Sequence, residues 1–157
     1  YRLLHSESLE TDTHKPDFGY VEHRFLQHPV YEYRFLGIQN EEGGMKSFMV
    51  LREERYDGAK ICKIVDFYGP YEEIIDTASE MYRFVDENHY EFMDIYCYGV
   101  PEKYLFTAGF SWCKEEEAII PNHFAPFEQK NTDIYFATSL WGQLDVFRGD
   151  ADQDRPS

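Results

Sequence analysis

A chain of 157 residues with 43% hydrophobic and 18% aromatic side chains suits one domain around one core. Its 30 acidic and 15 basic residues leave a formal charge of −15, spread along the chain rather than held in one block. Such a field repels phosphate backbones and anionic headgroups, so nucleic acid and membrane surfaces are excluded as partners, and no apolar stretch is long enough to span a bilayer.

Residues 1–16 are polar and without a sustained period, and read as a tail or linker ahead of a domain over 17–148. Asp17 can cap a short helix over 17–28, in which Tyr20, Val21, Arg24, Phe25 and His28 fall at helical spacing. Pro29 ends it. Three strand-like runs follow: Val30 to Gln39, Met45 to Arg52 and Lys60 to Phe67. The Gly-bearing turns between them, at 40–44 and 56–58, favour antiparallel hairpins and hence a meander.

After Gly69-Pro70, the spacing predicts a helix over 71–88. Ile74, Ile75, Ala78, Met81, Tyr82 and Val85 form its apolar face, and Glu72 and Glu73 suit the dipole of its first turn. A strand from Glu91 to Tyr98 comes next, so strand, helix and strand imply parallel pairing of the third and fourth strands. A short helix from Pro101 to Ala108 stops at Gly109. Phe110 to Ile120 is strand-like, 121–132 is a loop carrying His123, and Asp133 to Leu140 and Gln143 to Phe147 make a terminal hairpin. The segment 149–157 reads as a polar surface tail. The fold class is therefore α/β (α+β), with a single mixed β-sheet.

Cys62, Cys97 and Cys113 are odd in number and form no C-x-x-C pair. They read as reduced thiols in a cytoplasmic protein. The six histidines include no helical pair with an acidic partner, so no metal is expected. The motif Asp150-x-Asp152-x-Asp154 lacks the Gly and Glu of a calcium loop and reads as a solvated tail.

Ligands in α/β sheets gather at the carboxyl ends of strands. Asp66 ends the apolar run Ile61 to Val65, and a parallel crossover would bring it near Tyr96 and Tyr98. Asp66, Phe67, Tyr68, Tyr96 and Tyr98 form the candidate site. Asp66 would act as a general base if burial raised its pKa, and the alternative is an Asp that only caps the turn. His123, on its loop, is a further candidate for contact with substrate.

The run Pro101-Glu102-Lys103-Tyr104-Leu105-Phe106-Thr107-Ala108-Gly109-Phe110 resembles the helix-then-Gly-Phe element of GNAT N-acetyltransferases. The stretch from Arg24 to Gly69, with the closing run Asp150-Ala151-Asp152-Gln153-Asp154-Arg155-Pro156, is similar to GNAT-like proteins of bacterial surface-polysaccharide gene clusters, and together these matches cover roughly residues 20–155. The resemblance implies an acyltransferase lobe that takes acetyl-CoA or another acyl-CoA and acts on an amino sugar or polysaccharide precursor. It places Phe67, Tyr68 and Gly69 in the loop that would hold the CoA pyrophosphate. Two departures stand against that. The segment from Asp66 to Glu73 has one Gly, a Pro without N–H, and two carboxylates where a diphosphate needs positive potential. The position of the family's proton-donating Tyr is Leu105, and the neighbouring Tyr104, about 100° round the helix, is the catalytic candidate only if the helix is shifted or locally distorted. The alternative is a non-catalytic module that supports a catalytic partner or holds a carbohydrate on its tyrosines. The start at Tyr1, without Met, suggests the C-terminal part of a longer protein with an N-terminal lobe outside this chain. Exposed aromatics would allow a homodimer.

Overall fold

The computed structural model describes residues 17–56, 58–113, 135, 137 and 144–150. The Asp17 carboxylate accepts from the backbone N–H groups of Gly19 and Tyr20, at 2.9 and 3.4 Å, and so starts helix α1 at Phe18–Val21. A π-helical turn at Glu22–Leu26 continues it and ends before Pro29. The meander follows as β1 (Tyr33–Gln39), β2 (Met45–Tyr56) and β3 (Ala59–Tyr68). In the first turn the Asn40 side chain accepts from Gly44 N at 2.7 Å, and Gly43 supplies a φ of 82°.

β1 and β2 pair antiparallel from Tyr33↔Arg52 to Gln39↔Met45. β2 and β3 pair antiparallel from Phe48↔Tyr68 to Tyr56↔Ala59. That ladder carries a bulge. Val50 faces Asp66 and Leu51 faces Ile64, so Val65 has no partner on β2. The extra residue breaks the alternation of β3. Cys62, Ile64 and Phe67 join one core cluster, whereas Val65 and Tyr68 join the other. Asp66 is thereby turned to the side of Tyr68 rather than to the side of Ile64.

Helices α2 (Glu73–Asp76) and α3 (Ala78–Glu87) lead to β4 (Met93–Ile95), which pairs parallel to β3 through Cys62↔Met93, Lys63↔Asp94 and Ile64↔Ile95. The mixed sheet has the order β1-β2-β3-β4. One of its faces packs Met49, Leu51, Ile64 and Phe67 against Tyr71, Ile74, Met81 and Phe147. The other packs Phe48, Val50 and Val65 against Val21 and Phe25. The meander and the parallel third and fourth strands are as the sequence implies.

Several expectations are corrected. The helix over 71–88 is two helices, because the Thr77 hydroxyl donates to Ile74 O at 2.7 Å and interrupts the run. The strand from Glu91 to Tyr98 is also divided. It leaves the main sheet after Ile95, and β5 (Cys97–Tyr98) forms a second, two-stranded sheet with β6 (Val146–Phe147). The β-structure is therefore not a single sheet. Between these elements lies α4 (Glu102–Thr107), which ends before Gly109 at a φ of 96°. Phe110–Cys113 are not a strand. The expected strand at 133–140 lies outside the described residues apart from Tyr135 and Ala137, and the loop 121–132 lies outside them entirely. Gly149, expected in a surface tail, is instead buried in a 3-10 turn at Arg148–Asp150, and 151–157 lie outside the described residues.

Candidate functional site

The bulge at Val65 decides the surroundings of Asp66. This side chain is fully buried. Its Oδ1 accepts from Phe67 N at 2.9 Å and its Oδ2 accepts from the Tyr68 hydroxyl at 2.8 Å. Burial pushes the carboxyl up to about 7, and the Asp150 carboxylate pushes the same way. The Tyr68 hydroxyl, the Phe67 N–H and Arg24 oppose them. Tyr68 stacks on Phe48 at 4.8 Å, and burial and Asp66 raise its own pKa. Asp66 thus meets the sequence condition for a base, a carboxyl raised by burial, but no solvent-exposed face reaches it.

The diverging ends of β3 and β4 do not leave an open cleft. The chain returns there as β6 and the 3-10 turn. A Cβ on Gly149 would fall 3.3 Å from Asp66 Oδ2, from Phe25 Cζ and from the Val65 carbonyl oxygen. Arg24 donates from Nη2 to Gly149 O at 3.4 Å. Arg148 is buried, with its guanidinium 4.2 Å over the Tyr96 ring.

Arg148 belongs to a buried charge cluster. Its Nη2 donates to Asp94 Oδ1 at 2.8 Å, and Lys63 Nζ donates to Asp94 Oδ2 at 3.0 Å. Burial and the nearby Arg148 lower the Lys63 pKa to about 8, while Asp94 holds it up. The cluster ties together β3, β4 and the C-terminal turn.

The loop after β3 has its own chemistry. Gly69 adopts a φ of 129°, and a Cβ there would meet the Ser47 Cβ at 2.6 Å. The glycine is thus required by strand packing. Glu73 is buried, with one carboxylate oxygen paired to Lys46 and the other, Oε2, without a hydrogen-bond partner. Burial and the Asp145 carboxylate push the Tyr71 hydroxyl up.

The residues expected at the site separate as follows. Asp66, Phe67, Tyr68 and Gly69 are contiguous at the end of β3. Phe67 faces the helix side, where it packs 6.2 Å from Tyr71. Tyr96 lies under Arg148, and Tyr98 is 57% exposed on β5. Tyr104 packs against the helix-side core, with Lys103 Nζ 4.6 Å from its ring. The sheet therefore stands between Tyr104 and the Asp66 carboxylate. His123 lies outside the described residues. Sequence reasoning missed Lys63, Asp94 and Arg148. The available signal was opposite charges within two apolar runs that become neighbouring strands.

An open groove of about 410 Å³ lies elsewhere, between the π turn and the approach to β1, lined by Phe25, His28, Val30, Tyr31 and Tyr33. Among the described residues no group of three or more His, Cys, Asp or Glu is gathered to hold a metal. No helix among them is long and apolar enough to cross a membrane. Comparison with known proteins gave no match: no family model fits the chain, and no curated protein or solved structure is significantly similar to it.

Proposed function

We propose that this chain is a non-catalytic lobe of GNAT-like architecture that supports a catalytic partner or holds a carbohydrate ligand. The observation that carries this reading is the buried Glu73 carboxylate beside the turn after β3. An acyl-CoA pyrophosphate would need free N–H groups and positive potential there. Glu73 supplies negative charge and engages the neighbouring Lys46. Repulsion between bare unit charges a few ångströms apart costs about 1 to 4 kcal/mol at surface-like dielectric, and the pair with Lys46 reduces it without supplying the positive potential a diphosphate needs. The supported partner would be a catalytic domain or protein distinct from this chain.

The test is a titration with acetyl-CoA, followed by thermal unfolding and calorimetry. The expected result is no shift in melting temperature at millimolar ligand. A concentration-dependent rise would overturn the reading, because a ligand that binds only the native state must stabilise it.

A second reading, an acyltransferase lobe acting on an amine or hydroxyl of a sugar precursor, is favoured by one observation. Asp66 is held near pH 7 beside the Tyr68 hydroxyl, a range suited to taking a proton from a nucleophile. It requires both acyl-CoA binding and access to Asp66, so the same titration separates the two readings.

A further inference from the structure

We propose that the segment Val146–Asp150 is a removable plug, seated over Asp66 when that carboxyl is neutral and released when it ionises. The proposal stands apart from either functional reading, since it concerns only how the gap beyond β4 is closed.

The geometry carries it. Pairing between β3 and β4 stops at Ile64↔Ile95, and β5 turns away to another sheet. The plug fills the space this leaves. Its ladder to the body is short, with Cys97↔Phe147 and Tyr98↔Val146 as the paired residues. This two-residue ladder belongs to the small second sheet, so opening the segment breaks no pairing of the four-stranded sheet. Its remaining seat is Phe147 in the helix-side core, the close approach of Gly149 to Asp66, Phe25 and the Val65 carbonyl, the Arg24 bond to Gly149 O, and the Arg148 contacts to Asp94 and Tyr96.

The plug also carries charge toward its seat. Phe147 N donates to Asp150 Oδ2 at 2.9 Å, which fixes Asp150 at the exposed rim of the turn. Asp150 acts on Asp66 as a like charge. Other groups face Asp66 from each neighbouring element: Tyr20 from α1, Arg24 from the π turn, Tyr68 from β3 itself and, more weakly, Tyr71 from the following loop. β2 presents the uncharged Val50 opposite Asp66. Arg24 is the nearby cation, and it also donates to Gly149 O on the plug. A charged Asp66 therefore meets a second carboxylate and a dry environment, and water reaches it only when the plug leaves.

The sign follows from linkage. The carboxyl is raised from 3.8 to about 7 with the plug seated. The seated state thus binds the proton more tightly than the open one, and seating weakens as pH rises from about 4 to about 7, then levels off.

Hydrogen exchange of the full chain, corrected for intrinsic rates, tests this at pH 5 and pH 8. The Phe147 and Gly149 amides should open at least about tenfold more readily at pH 8, since one pKa unit is tenfold in the equilibrium. Amides of the β2–β3 ladder should change less. Asp66→Asn should remove the difference. If that variant does not fold, Asp150→Asn serves, and its pH difference should shrink. Equal opening of the wild-type plug at both pH values overturns the proposal. So does a wild-type pH difference retained in Asp66→Asn or, where that variant does not fold, undiminished in Asp150→Asn.

Discussion

Arg148 donates to Asp94 across 54 residues of sequence, at 2.8 Å, with both side chains buried. Asp94 also holds Lys63 on its other oxygen, so one carboxylate balances two buried cations. The contact anchors the C-terminal turn to the parallel strand β4.

That balance makes Asp94 the sensitive member. Asp94→Ala removes the buried carboxylate that both Lys63 and Arg148 contact, and should cost about 3–5 kcal/mol. Arg148→Met leaves Asp94 paired with Lys63 and places a hydrophobic chain over Tyr96, so its cost should be markedly smaller. Urea unfolding midpoints of the two variants check the order. Equal losses would contradict the placement of both cations on one carboxylate.

Gly69 is held by conformation and by space together. At a φ of 129° with Ser47 Cβ 2.6 Å from an added Cβ, Gly69→Ala should destabilise by about 1–3 kcal/mol. Adding Ser47→Gly removes the Cβ–Cβ clash but not the backbone strain. The double variant should recover part of the loss in a thermal unfolding measurement, and full recovery would place the whole cost in the clash.

The meander was legible in the sequence because its turns carry Gly at 43 and 58 and its strands are separated by few residues. The parallel partnership of β3 and β4 followed from the helical run between them. The position of Asp66 at a strand end was legible too. Its environment was not. A bulge at Val65 leaves no mark in composition, yet it decides which face Asp66 occupies. The closing of the gap by Arg148 and Gly149 depends on contacts more than 50 residues distant, which periodicity does not encode. Thr77, by contrast, was a visible signal. Its hydroxyl competes for backbone carbonyls, and the helix divides at it.

Stability should depend on pH through two groups of opposite sign. Asp66, raised by burial to about 7, makes the native state bind a proton more tightly, so stability falls as pH rises from about 4 to 7. Glu53 behaves in the reverse way. Burial pushes it up, but Arg55, the Tyr90 hydroxyl at 2.9 Å and Lys60 at 3.1 Å prevail and hold it down to about 2. Its contribution is present above about 4.5 and is lost as pH falls toward 2. Unfolding free energies across pH 2–8 should show both limbs. Glu53→Gln should flatten the acid limb, and Asp66→Asn should flatten the one approaching neutrality.

The cysteines differ enough to be told apart by labelling. Cys113 is exposed, whereas burial raises the Cys97 thiol to about 11 and the Cys62 thiol to about 12. The thiolate is the reactive form, so a thiol reagent at pH 7.5 should modify Cys113 first, Cys97 slowly and Cys62 only in denaturant. Mass spectrometry of partly labelled protein reads the order directly. Early modification of Cys62 would mean that the seam between β3 and β4 opens in the native state.

Glu73 offers a substitution expected to cost little. Its carboxylate is buried, Oε2 has no hydrogen-bond partner, and its counter-charge Lys46 has a side chain 47% exposed. A buried charge so incompletely compensated is a poor contributor to stability, since the loss of hydration offsets much of the attraction. Glu73→Gln keeps the shape and removes the charge, while Lys46 turns to water. The variant should lie within about 1 kcal/mol of the parent, on the stabilising side if the unsatisfied oxygen dominates. A loss of several kcal/mol would mean that the pair with Lys46 holds the turn after β3 in place. The acidic character of that turn would then be a requirement of folding.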